Sequence, residues 1–190
     1  MALWGTTATA DEAKPKHLTA EQKKTVFATD RGWVQLNGKG LEEVIVAIGG
    51  LAGGTSSTAG LGKATVDFVD FVTKSYGHDA GGNIDVRVTY NEKVTVVTTG
   101  GTPSIVITNN QTGGGSAATI TAAYVSGSGT NRLVFRKNYG AENSAIAENN
   151  TFSVLAQNIS LNSGTIKDTG TTLDSLVAIP AGTGTLTVTA

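Results

Sequence analysis

The sequence predicts a mainly β protein whose larger part is an antiparallel β-sandwich, and three observations carry that expectation. Glycine, at 25 of 190 residues, is nearly twice as frequent as the roughly 7% of an average chain, while charged residues make up only 15%. Ile84, Val86, Val88 and Tyr90 alternate with Asp85, Arg87 and Thr89, the period of a strand with one buried and one wet face. Short β-prone runs then recur between Gly-rich turns at the spacing of a sandwich.

Taken in order, the chain divides into three parts. Residues 1–18 read as an extended N-terminal arm: no hydrophobic period is sustained from Met1 to His17, and Pro15 pushes Lys14 towards extended backbone. Leu3 and Trp4 are its large apolar pair. Residues 19–62 read as a small α+β or β-hairpin anchoring region. Thr19-Ala20-Glu21-Gln22 has the form of a capping box, which opens a helix expected to end near Asp30-Arg31-Gly32. Trp33-Val34-Gln35-Leu36, the Asn37-Gly38-Lys39-Gly40 turn and Val44–Ile48 make a hairpin, because Asn-Gly readily takes positive φ. Gly49–Gly62 is a Gly/Ser/Thr/Ala-rich linker. Residues 63–190 form the sandwich, with strands expected over Ala64–Lys74, Ile84–Tyr90, Val94–Thr98, Ser104–Thr108, Thr119–Val125, Arg132–Arg136, Phe152–Ile159 and Thr185–Thr189.

Composition excludes several function classes. A net charge of -1 argues against bulk nucleic-acid binding, and no run approaches the ~20 apolar residues of a membrane-spanning helix. The N-terminus lacks the pattern of a secretion signal. With no cysteine, disulfides, Cys-ligated metals and thiol catalysis are removed together. The two histidines, His17 and His78, lie outside any nucleophile motif, so no enzyme is expected. Gly54–Lys63 fails as a phosphate loop because Ser57 and Ala64 stand where Gly and Ser/Thr are required. Asp67, Asp70, Asp79, Asn83 and Asp85 gather oxygen ligands of the kind calcium takes, but without an EF-hand loop; exposed strand-end carboxylates are the commoner explanation, and no cofactor or metal is assigned. Lys14, Lys16, Lys23 and Lys24 are interleaved with Asp11, Glu12 and Glu21, a pattern of solvated surface or of docking onto an acidic partner.

Two stretches resemble known families. Val88–Val96, Gly101–Ile107, Ala123–Phe135 and Leu161–Asp168 resemble successive strands of the bacterial immunoglobulin-like repeats of large surface proteins, which implies a cysteine-free immunoglobulin-like sandwich. Met1-Ala2-Leu3-Trp4-Gly5, Asp11–Thr19, Val26–Asp30, Gly32-Trp33-Val34 and Glu43–Gly49 are similar to the start of small virion structural proteins of tailed phages of marine cyanobacteria. That resemblance implies a non-enzymatic particle component located in the virion and assembled in the host cytoplasm.

The expectation is therefore a capsid decoration protein, present in many copies or as a homo-oligomer. Its N-terminal region would bind other virion proteins, foremost the major capsid protein, through Leu3, Trp4, Lys14, Pro15, Lys16 and Trp33. Phe27, Trp33 and Leu36 equally suit a small core. A neck, tail or fibre component is the structural alternative. A glycan-binding module using loops around Gly100, Asn109–Gly115 and Ser126–Asn131 is the alternative of another class, with weak host-surface glycan binding as its consequence. Neither nucleic acid nor membrane is an expected partner.

Overall fold

The computed structural model describes residues 14–53 and 60–190. The expected arm up to residue 13, with Leu3 and Trp4, lies outside the described residues, as does the middle of the Gly-rich stretch. Strands account for 47% of the chain and helix for 2%, so the mainly β class is observed.

The helix is far shorter than expected. α1 (Ala20–Lys23) opens with the capping box: Gln22 N–H donates to Thr19 Oγ1 at 3.2 Å and Thr19 N–H to Gln22 Oε1 at 2.9 Å. It stops at once because Thr25-Val26-Phe27-Ala28-Thr29 is rich in β-branched and aromatic residues. These become β1 (Val26–Thr29), with Val26, Phe27 and Ala28 buried. β2 (Gly32–Leu36) and β3 (Glu42–Ala47) complete an antiparallel three-strand unit. Asn37 shapes the β2–β3 turn as expected, its Oδ1 accepting from Lys39 N at 2.9 Å and Leu41 N at 3.0 Å.

The remaining strands are β4 (Val66–Phe71), β5 (Tyr76–Gly77), β6 (Gly82–Val97), β7 (Ser104–Asn109), β8 (Thr119–Ser126), β9 (Thr130–Tyr139), β10 (Thr151–Ser153), β11 (Gln157–Asn158), β12 (Thr165–Asp168), β13 (Ala178–Ile179) and β14 (Leu186–Thr189). Ile84–Tyr90 and Val94–Thr98, expected as separate strands, are one 16-residue strand, β6. Asn91-Glu92-Lys93, between the two expected strands, stays extended because Asn91 N–H donates to Thr65 O and Asn91 Oδ1 accepts from Thr65 N. Phe152–Ile159 instead splits in two, β10 pairing with β7 and β14 and β11 with β13.

The large sheet is mixed, in the order β3-β2-β1-β6-β9-β8-β7-β10-β14-β5, with β4 and β12 also on β6. Parallel pairing occurs between β1 and β6 and between β14 and β5. β6 is the hub: β4 pairs with its first half and β12 with its second, while β9 follows it from Gly82 to Thr89 and rejoins at Val94. Tyr90 to Lys93 lie in that register shift, which bends the strand.

Among the described residues two apolar clusters result. The main core gathers Ile84, Val86, Val88, Tyr90 and Val94 of β6 with Val69, Ile105, Ile107, Ile120, Leu133, Phe135, Phe152 and Ile166. The smaller one is Val26, Ala28, Trp33, Leu51 and Ala52, with Leu18, Ile45, Val46, Ile48 and Leu61 against it. The expected boundary between residues 62 and 63 is bridged by backbone, since β1 pairs with β6 at Ala28 and Glu92.

Gly32 closes the β1–β2 turn at φ +117°, and a Cβ there would lie 2.1 Å from Val46 O. Gly38, in the next turn, has open space around it. Gly32→Ala is therefore expected to cost more than ~2 kcal/mol in urea unfolding, whereas Gly38→Ala should change stability by less than ~1 kcal/mol.

Candidate functional site at the N-terminal junction

Residues 14–25 lie against the outer side of β4. The bulge between Val66 and Phe68 takes Asp67 out of the regular ladder, and Lys14 Nζ meets Asp67 Oδ2 at 2.5 Å and Lys23 O at 2.6 Å. Both side chains are almost fully enclosed, Lys14 at 2% exposure and Asp67 at 6%. Two charges removed from water at this depth require each other and further hydrogen bonds, so the pair fixes where the chain enters the fold more than it adds net stability. Pro15 is buried beside Lys14, whereas Lys16 and His17 are exposed.

Trp33, on β2, is buried at 1% exposure in the small core. Of the residues expected to meet a partner, Lys14, Pro15 and Trp33 are thus enclosed by the chain itself. Lys16 is the one in the described residues that faces solvent.

Where β1 joins β6, a cleft of about 340 Å³ opens among Asp30, Arg31, Glu42, Glu92, Lys93 and Asp168. Its rim is an ion-pair relay: Glu42 accepts from Arg31 Nη2 at 2.7 Å and from Lys93 Nζ at 2.5 Å, and the Lys93 bond leads in holding its carboxyl below the usual range. Its floor is different. Glu92 is 1% exposed, and among the described residues neither of its carboxyl oxygens has a hydrogen-bond partner. Burial, reinforced by Asp168, Asp30 and Asp67, pushes its pKa up to about 9. Asp168 is held differently, its Oδ1 accepting from Gly170 N at 2.7 Å and Thr171 N at 3.3 Å. At neutral pH the floor of the cleft therefore presents Glu92 as a neutral carboxylic acid.

The oxygen ligands considered for calcium are dispersed among separate partners. Asp67 meets Lys14, Asp70 is forked by Arg87 at 3.0 and 2.7 Å, Asp85 is forked by Arg136 at 2.6 Å on each oxygen, and Asp79 lies 3.4 Å from His78. Asn83 accepts from Asn138. Among the described residues no group of three His, Cys, Asp or Glu side chains is placed to hold a metal ion. The 109–115 loop spends its polar groups internally: Asn109 Nδ2 donates to Asn150 Oδ1 and Ala117 O, and Asn109 and Asn110 accept from Gln111 N and Thr112 N.

Glu92, Asp168 and the arginines Arg87, Arg132 and Arg136 are not singled out by the sequence. For Glu92 a signal exists: it lies between two apolar alternations, where a continuous strand must bury something. For Asp168 none does, because its burial follows from pairing opposite Val94, 74 residues earlier.

Comparison of the chain with protein-family models, with curated proteins and with solved structures returns no match.

Between the ordinary carboxyl pKa of 4.5 and about 9, the folded state holds one more proton on Glu92 than the unfolded chain does. Its contribution to stability is full below pH 4.5 and is lost as pH rises towards 9. Stability in urea should therefore fall by up to about 1.4 kcal/mol per pH unit across that window, and Glu92→Gln should flatten the slope and stabilise the protein at pH 8. A wild-type slope of the opposite sign, or one unchanged by Glu92→Gln, contradicts this.

Proposed function

We propose that the chain is a non-enzymatic structural protein of a tailed-phage particle, in first place a capsid decoration protein held by its N-terminal region, with an immunoglobulin-like β-body displayed outward. The observation that carries the reading is the way the N-terminal segment is seated. Lys14 and Pro15 are buried, Lys14 is clamped by Asp67 and by the carbonyl of Lys23, and β1 extends the sheet through β6. A pull on the residues before Lys14 is thereby delivered to the body's central strand rather than to a loose linker. Thirteen residues precede that clamp, a length that extends to roughly 43 Å at ~3.3 Å per residue, enough to reach a neighbouring subunit.

Two further features favour the reading. Leu36 and Leu41 flank the β2–β3 turn and Val44 lies further along β3, three exposed apolar side chains on the same N-terminal unit. The immunoglobulin-like inference rests on the antiparallel run β4-β6-β9-β8-β7 around one apolar core, closed by β10, β12 and β14.

With residues 1–13 deleted and Lys14 kept, the far-ultraviolet circular dichroism should be unchanged, while the copy number of the protein in purified particles, by quantitative mass spectrometry, should fall sharply. Trp4→Ala should have the same direction, since truncating an aromatic anchor costs ~2 kcal/mol or more. Undiminished copy number in both variants sinks the tether. Hundreds of copies per particle would identify a shell protein, and a low multiple of six or twelve a neck or tail component.

A further inference from the structure

The outer face of β4, β6 and β9 carries three arginines in comparable settings, and they are not treated alike. Arg87 is forked onto Asp70 and Arg136 onto Asp85, each through two nitrogen–oxygen contacts. Arg132 stands opposite Thr89, in a row completed by Phe68, so its own row supplies no acid. Among the described residues its guanidinium has no carboxylate partner.

It is half-buried, in a pocket of about 410 Å³ that also holds Lys24, Lys74, Arg87 and Asp70. The pocket's two acids are already used. Asp70 is taken by Arg87, and Glu21 accepts from Lys24 Nζ at 2.8 Å. Lys74 Nζ donates to the carbonyl of Phe71 at 2.8 Å, which leaves its charge uncompensated. Two cations, Arg132 and Lys74, thus face one recess with no carboxylate bonded to either among the described residues. Burial first, and then the neighbouring Arg87, lower the proton affinity of Arg132, and Asp70, already forked by Arg87, offsets them only in part.

We propose that this recess is a docking site for a carboxylate presented by an acidic side chain of a partner protein. The same face already holds two carboxylates in the planar fork that guanidinium favours, and Arg132 offers a third fork with the acid left out. Lys24 and Phe68 line both this recess and the space beside Lys14 and Asp67, so the site borders the base of the N-terminal segment. The inference rests on the docking role proposed above only for the identity of the partner. It is tested on the isolated protein, so its failure is distinguishable from failure of particle incorporation.

The full chain is titrated at low ionic strength with a tetraglutamate peptide and, separately, with inorganic sulfate. Peptide binding is expected, weakened about tenfold or more by Arg132→Ala and only partly restored by Arg132→Lys, which keeps the charge but not the fork. Lys167→Ala, an equal loss of charge on β12, should change it less than twofold. Arg132→Gln is the second variant should the alanine variant fail to fold by circular dichroism. Three results overturn the proposal: no peptide binding, binding indifferent to Arg132, or sulfate bound as tightly as the peptide with the same dependence on Arg132.

Discussion

Everything in this fold is strung on one strand. β6 is 16 residues long and makes ladder contacts with β4, β9, β12 and β1, so any change in its register moves all four neighbours. Side chains alternate across a strand, and a one-residue slip would turn Ile84, Val86 and Val88 from the main core to the face where Asp85 and Arg87 now lie. The cross-strand forks Asp70–Arg87 and Asp85–Arg136 lock the same register from the outside, each joining β6 to a different neighbour. Two independent physical demands, burial within and ion pairing without, thus agree on a single alignment.

The bend at Tyr90–Lys93 is where β6 stops being an ordinary strand and becomes a junction. Tyr90 ends the first apolar row and its hydroxyl donates to Leu176 O at 3.2 Å. Asn91 is held to Thr65 by one backbone bond and one side-chain bond. Glu92 meets β1, and Lys93 reaches Glu42 of β3. One short segment therefore joins the N-terminal strands to the body through backbone, hydrogen bond and ion pair at once. The cost sits in the same place, since Glu92 is buried without a donor and is kept neutral by its surroundings. Lys14 and Asp67 repeat the theme beside β4, where an enclosed pair of ionisable groups positions a segment.

Local signals were legible in the sequence and long-range ones were not. The capping box at Thr19 and Gln22, the Asn37 turn and the alternation from Ile84 to Tyr90 are all statements about neighbours within a few residues, and each is found in the structure. The helix expected to continue to Asp30 fails because a cap says where a helix begins, whereas β1 is dictated by the pairing of Val26–Thr29 with β2 and β6. The continuity of β6 through Asn91 was hidden for the same reason: Thr65, 26 residues away, supplies the bonds. For the site, Lys14 was singled out as a surface charge; nothing in Lys14-Pro15-Lys16 shows that a bulge in β4 aims Asp67 at it. Arg132 reads like any strand arginine until its row mates prove to be Thr89 and Phe68.

If the N-terminal strands are welded to the body as the β1–β6 pairing and the buried Lys14–Asp67 pair imply, both must unfold together. With Trp4 replaced by phenylalanine, Trp33 becomes the sole tryptophan and reports on the small core alone. The direct measurement is equilibrium urea unfolding followed by Trp33 fluorescence and by far-ultraviolet circular dichroism on the same samples. Coincident midpoints and slopes are the expected result. A fluorescence transition complete at lower urea than the dichroism transition would show that the N-terminal unit detaches while the β-body stands, and would contradict the weld.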